Sequence, residues 1–258
     1  MNRNFLSTHF FLFIFVAFLS TSCFTDREVD ERMESIKAAK RGVGASSNEI
    51  LSANKFSSID LEIQYMEGFQ PNQASIGTIV NWMEDLVNKP DGINVRMKSI
   101  PAVGQEDYSL DEIRAIEDNN RSSYNSGSEL GLYILVLDGY FDEDTETEFS
   151  LGISHRNTSL TLMGQRILEN SGRVGKPSKE KLESTVLEHE LGHLMGLVNL
   201  GSNMLIEHED EEHDHHCDNS HCLMYWAVET NVLYNAVNND IPVLDQNCIN
   251  DLKANGGK

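Results

Sequence analysis

Every second position from 59 to 65 is apolar (Ile59, Leu61, Ile63, Tyr65), the two-residue period of a half-buried strand. After Pro71 the period changes. Ile76, Ile79, Val80, Met83, Leu86 and Val87 recur at three and four, which predicts a helix that Pro90-Asp91-Gly92 stops. Ile93, Val95 and Met97 restore the strand period, and a strand, a helix and a strand in this order suit a crossover onto one sheet. Ser109 and Glu112 stand at capping-box spacing and predict a helix over about 110–124. The apolar run 130–137 predicts a central strand, 138–148 an acidic loop, and 149–153 and 160–163 two short strands. A further helix is expected from Pro177-Ser178 to the neighbourhood of Met195. Leu182, Val186, Leu187, Leu191 and Leu194 form its buried stripe, and Gly196 is placed to end it in a left-handed cap. Residues 198–218 read as a loop dense in His and carboxylates, and a closing helix is expected over about 243–254. The order of elements points to an α+β domain with a twisted mixed sheet and backing helices.

The first 58 residues carry a different pattern. Arg3 and the unbroken apolar run 10–19 give 1–23 the form of an export leader. The run is too short for a lasting span, which takes roughly 20 apolar residues. It ends Leu19-Ser20-Thr21-Ser22-Cys23, which resembles the lipobox of bacterial lipoproteins. That resemblance implies acylation at Cys23, a lipid anchor in the membrane, and a place in the bacterial cell envelope outside the cytoplasm. Residues 24–58 are charged and small, with few large apolar side chains, and are expected to form a flexible tether, with room for a helical turn around 33–40. A folded domain over 59–258 remains. The formal charge of -21 excludes nucleic acid and anionic lipid surfaces as partners, since both would repel the chain.

Chemistry concentrates in His189-Glu190-Leu191-Gly192-His193. On a helix, residues i and i+4 share a face, so His189 and His193 can aim nitrogens at one cation with the Glu190 carboxylate beside it. Two such histidines and a glutamate are the arrangement of zinc hydrolases, in which Glu190 is the general base. A catalytic zinc takes a third protein ligand and keeps a fourth position for water. Farther along, His216-Cys217 is followed by Cys222 and Met224.

These two motifs together resemble the archaemetzincins, and also the metzincin-type metalloproteases among bacterial envelope lipoproteins. The match falls on His189, Glu190, His193, Gly196, His216, Cys217, Cys222 and Met224, with an insertion of roughly 17 residues after Val198. The resemblance implies a metzincin-like zincin fold, one catalytic Zn2+, Met224 as the Met-turn residue, and hydrolysis of protein or peptide substrates. It makes His216 the expected third ligand. His208 and Asn199 are the alternatives, Asn199 because it stands six residues after His193, where metzincins have a histidine. Cys217, Cys222 and Cys248 are left for a disulfide or a structural metal, and the His- and acid-rich loop for a possible second structural cation. The family's second cysteine pair is represented by Cys248 alone. The competing reading is a non-catalytic zinc-binding envelope lipoprotein, and a third is a peptidase using Glu207 or Glu211 as ligand.

Overall fold

The computed structural model describes residues 26–145, 149–228 and 242–258. The export leader and Cys23 lie outside them. Along the chain run α1 (Asp26–Ala38), α2 (Ser47–Leu51), β1 (Ser58–Met66), α3 (Gln73–Leu86), β2 (Ile93–Ile100), β3 (Asp107–Tyr108) and α4 (Leu110–Asn120). They are followed by β4 (Glu129–Leu137), β5 (Tyr140–Phe141), β6 (Gly152–Arg156), β7 (Ser159–Met163), α5 (Gly164–Glu169), α6 (Lys179–Leu194) and α7 (Gln246–Ala254). Five strands form one sheet in the order β2-β1-β4-β7-β6. Four are parallel, and β6 returns antiparallel to β7 along one edge.

Helices cover both faces of this sheet, which explains the continuous apolar run of β4. Leu130, Leu132, Ile134 and Val136 join the core beneath α3 and α6, and Tyr133, Leu135 and Leu137 join the one beneath α4. The capping box of α4 is formed, with the Ser109 side chain accepting from Glu112 N and Glu112 reaching back to Ser109 N. α4 stops at Asn120, short of the expected 124, because Arg121 turns inward to bond Glu117, Ser123 O and Gly131 O.

Two expectations are corrected. β1 is not half-exposed: the alternate residues Asp60, Glu62 and Gln64, which a half-buried strand would turn to solvent, are buried. They are tolerated because each is bonded. Glu62 accepts from Ser122 N and Ser123 N at 2.8 and 2.6 Å, Asp60 pairs with Arg96, and Gln64 accepts from the Tyr133 hydroxyl at 3.0 Å. Nor is 26–58 a tether. It supplies α1, α2 and the first residue of β1, and Ile50, Leu51 and Phe56 are buried in the main core. Its scarcity of apolar side chains is offset by polar fixation. The buried Lys89 ammonium donates to Glu49 O, Ser52 O and Phe56 O at 2.7, 2.5 and 2.7 Å. Asn255 at the other end of the chain donates to Ser47 Oγ and Ser202 Oγ.

Smaller differences follow from local bonding. The strand expected at 149–153 is β6, three residues later, and α7 begins at Gln246 because Asp245 caps it, accepting from Cys248 N. The acidic loop contains β5, paired with β3 in a two-residue parallel bridge.

Candidate metal centre

α6 is buried almost throughout between the sheet and α3, from Leu182 to Leu194. Its start is fixed by Ser178, whose side chain accepts from Lys181 N. Its end is fixed by Gly196, whose φ of +82° only a residue without Cβ adopts cheaply. A Cβ there would lie 2.6 Å from Ser202 N and from Ser47 Cβ, so the N-terminal segment packs directly under the turn that ends α6.

On α6, His189 and His193 meet with Nε2 atoms 3.1 Å apart. His216 arrives from the loop after α6, and the three imidazoles bring one nitrogen each within 4.8 Å of the others. The His189 and His216 rings lie 5.4 Å apart and the His193 and His216 rings 5.1 Å apart. Outer partners set two of the tautomers. His189 Nδ1 donates to Leu223 O at 2.7 Å and His216 Nδ1 donates to Asp214 O at 2.9 Å, which leaves each Nε2 with its lone pair for the centre. Burial, and then the neighbouring imidazoles, lower the His193 pKa well below its ordinary value, so it stays a neutral donor.

This set fits a zinc ion. Two nitrogens at zinc–nitrogen distance in a tetrahedron stand about 3.3 Å apart, close to the observed 3.1 Å. Neutral imidazoles held by outer acceptors are the donors zinc prefers. Glu190, on the same turn of α6, is buried, and its carboxylate lies against β6: a Cβ on Gly152 would come within 3.3 Å of Glu190 Oε1. Ser154 Oγ donates to Glu190 O at 2.9 Å and ties β6 to the helix. Among the described residues, β6 stands at an edge of the sheet, with no strand paired on the side turned away from β7.

Met224 packs against α6 at Gly192. A Cβ on Gly192, the glycine inside the motif, would meet Met224 Sδ at 2.4 Å, so the motif needs glycine there to admit the methionine.

The alternatives for the third ligand sit elsewhere. Asn199, at a φ of +65°, donates to Glu209 Oε2 at 3.2 Å. His208 is buried, with Nε2 2.8 Å from Asp251 Oδ2 and Nδ1 3.4 Å from Cys217 Sγ. Glu207 and Glu211 are exposed and belong to neither group of metal-ligating side chains found among the described residues. The second such group is Cys217, Cys222, Cys248 and Asp245. Cys222 Sγ and Cys248 Sγ are 3.7 Å apart, far beyond a disulfide bond but close to the spacing of about 3.8 Å for two thiolates on one zinc. Hydrogen bonds from Cys217 and Cys248 pull the Cys222 thiol down to about 3. Asp245 is a site residue that sequence reading missed. Its signal is the Asp-x-x-Cys spacing of a helix cap, in which one carboxylate oxygen holds Cys248 N and the other faces Cys217 at 3.4 Å.

No family model and no curated protein matches the chain. Among solved structures it is similar to archaemetzincin from Methanopyrus kandleri, with 15% sequence identity and a TM-score of 0.50 over 77% of this chain and 96% of that one. The chain therefore has the fold of that protein: a mixed five-stranded sheet with backing helices, a motif helix and a C-terminal helix.

Proposed function

We propose that the protein is a zinc endopeptidase of the archaemetzincin type. One observation carries the reading: His189, His193 and His216 converge beside the buried carboxylate of Glu190, next to β6 at the edge of the sheet formed by the described residues. His189, His193 and His216 would hold the ion. Zinc in such a site supplies a Lewis acid that makes water acidic enough to attack an amide carbonyl near neutral pH. Glu190 then accepts the proton of the attacking water and hands it to the nitrogen of the departing amine. The edge of β6 would offer main-chain groups to an extended polypeptide and so align the scissile bond beside Glu190 whatever its side chains. Leu223 O and Asp214 O keep two imidazoles in the required tautomer.

The cysteine group is assigned a second, structural zinc, with Cys217, Cys222 and Cys248 supplying thiolates and Asp245 a carboxylate oxygen. The leader supports export and acylation at Cys23, so the enzyme acts from a lipid anchor in the bacterial envelope. Mass spectrometry of the mature N-terminus tests that part: an acylated Cys23 is expected, and an unmodified residue contradicts it.

For the chemistry, Glu190→Gln is the test. It is expected to keep the metal and lose hydrolysis of an unstructured protein by about 10²–10⁴-fold, the usual worth of a positioned base. Unchanged hydrolysis removes Glu190 from the mechanism, and absence of hydrolysis in the wild type returns the chain to a metal-binding lipoprotein.

A further inference from the structure

We propose that the inserted loop supplies an imidazole to the second metal site: His208 binds, through Nδ1, the ion held by Cys217, Cys222 and Cys248. The inference rests on the reading of the cysteine group as a metal site and adds a ligand to those it already has.

His208 is buried, and so are the two side chains on either side of its ring, Cys217 and Asp251. Its Nδ1 faces Cys217 Sγ at 3.4 Å, and its Nε2 lies 2.8 Å from Asp251 Oδ2. With Nε2 donating to the Asp251 carboxylate, the neutral ring keeps its lone pair on Nδ1, on the side of the thiols. A carboxylate behind an imidazole is the outer partner that zinc-binding histidines carry, and it fixes both the tautomer and the direction of the ring. A sulfur and a nitrogen on one tetrahedral zinc stand about 3.6 Å apart, close to the observed 3.4 Å.

The backbone holds the ring in place. Asp218 N donates to His208 O at 2.9 Å, and Glu209 forms an antiparallel bridge with Cys217, so 208–209 runs along 217–218. Asp251 grips the same segment twice, because its Oδ1 also accepts from Leu205 N at 2.8 Å. It stands three residues after Cys248 on α7, so the two share a face of that helix. One turn of α7 thus supplies a thiol to the group and the brace for the histidine.

Ligand chemistry favours the same choice. Three thiolates with one imidazole are a common structural zinc set. Asp245 is half-buried, and both of its oxygens are engaged: Oδ1 accepts from Cys248 N at 3.0 Å and Oδ2 from Asn219 Nδ2 at 3.1 Å. A neutral nitrogen also completes the shell without adding a fourth negative charge to a buried site. His208 therefore takes the strong fourth position and Asp245 the weaker one beside it, and the inserted loop is pinned at its middle to that ion.

The full-length protein, labelled with ¹⁵N-histidine, is loaded with ¹¹³Cd2+ under reducing conditions and observed by NMR. Thiolate ligands move the ¹¹³Cd resonance far downfield of an ion held by imidazoles, so the two sites are read separately. The downfield resonance is expected to couple to a single histidine nitrogen, of the Nδ1 type, and His208→Gln to abolish that coupling. Asp251→Asn is expected to weaken the cysteine site by about 10–100-fold against a competing chelator. Should either variant fail to fold, the coupling in the wild type decides alone. A downfield resonance with no histidine nitrogen coupled to it, a coupling that survives His208→Gln, or an affinity unchanged in Asp251→Asn overturns the inference and leaves the cysteine group a metal site. No cadmium at the thiols overturns both.

Discussion

Substituting Gly192 with alanine sets two known effects against each other. In a helix interior, Gly→Ala is stabilising by about 0.8–1.0 kcal/mol, because alanine loses less backbone entropy on folding. Here the new Cβ would lie 2.4 Å from Met224 Sδ and 3.2 Å from Met224 Cε. Ordinary contact begins at about 3.5–4.0 Å, so the sulfur must retreat by more than an ångström. Met224 is fully buried and Leu197 Cδ1 stands 3.5 Å from the same Cβ, so the retreat pushes on packed neighbours. Overpacking of this kind costs about 1–3 kcal/mol and outweighs the helix gain in most of that range. Met224 follows Leu223, whose carbonyl holds His189, so the displacement also loosens a ligand's outer partner, which costs about 10–100-fold in metal affinity. The assay is urea unfolding and zinc affinity for Gly192→Ala, Met224→Ala and the pair. The double variant is expected to recover the helix gain, giving a coupling of at least about 1 kcal/mol between the sites. A single Gly192→Ala variant that is more stable than wild type, with unchanged zinc affinity, would refute the placement of Met224 against the motif.

Other outcomes follow from the same structure. Lys89→Met strands three carbonyls that share one ammonium and is expected to cost about 2–4 kcal/mol in urea unfolding; a neutral result means that 49–56 is not clamped. Burial alone would raise the Glu49 carboxyl, but hydrogen bonds from Lys55, Ser46 and Arg41 outweigh it and hold it at about 2 instead of 4.5. Folding therefore favours the ionised form: the contribution is whole above about 4.5 and disappears as the pH falls through about 2. Glu49→Gln should lower the melting temperature at pH 6 and leave it nearly unchanged near pH 2; an equal loss at both values contradicts this. His208→Gln should leave the ion in the histidine centre in place but lower the affinity of the cysteine site, as metal content against a competing chelator will report. Loss of the histidine-centre ion alone would mean that His208 and not His216 is its ligand.

Much of this arrangement is legible in the chain, and the rest is hidden for definable reasons. α3, α6 and β4 announce themselves because their periods are set by nearby residues, and Gly196 ends α6 where its freedom from a Cβ predicts. The burial of Asp60, Glu62 and Gln64 is not legible, because their partners Arg96, Ser122, Ser123 and Tyr133 lie dozens of residues away. The N-terminal segment misleads for the same reason: composition counts its few apolar side chains but not the Lys89 ammonium or the Asn255 amide that fix its backbone and hydroxyls. At the centre, the spacing of His189 and His193 is helical and local, whereas the choice among His216, His208 and Asn199 depends on how a loop closes. The structure brings His216 to the two imidazoles, and it sends His208 to Cys217 because Asp251 on α7 holds the other ring nitrogen.

The most direct measurement is the zinc content of the purified protein, paired with cleavage of an unstructured polypeptide such as casein before chelation, after it, and after zinc is returned. Cleavage that stops on stripping and resumes with zinc, and that His216→Ala abolishes together with one bound ion, is the result expected. A protein that holds no zinc at these histidines, or cuts equally well without it, contradicts the account.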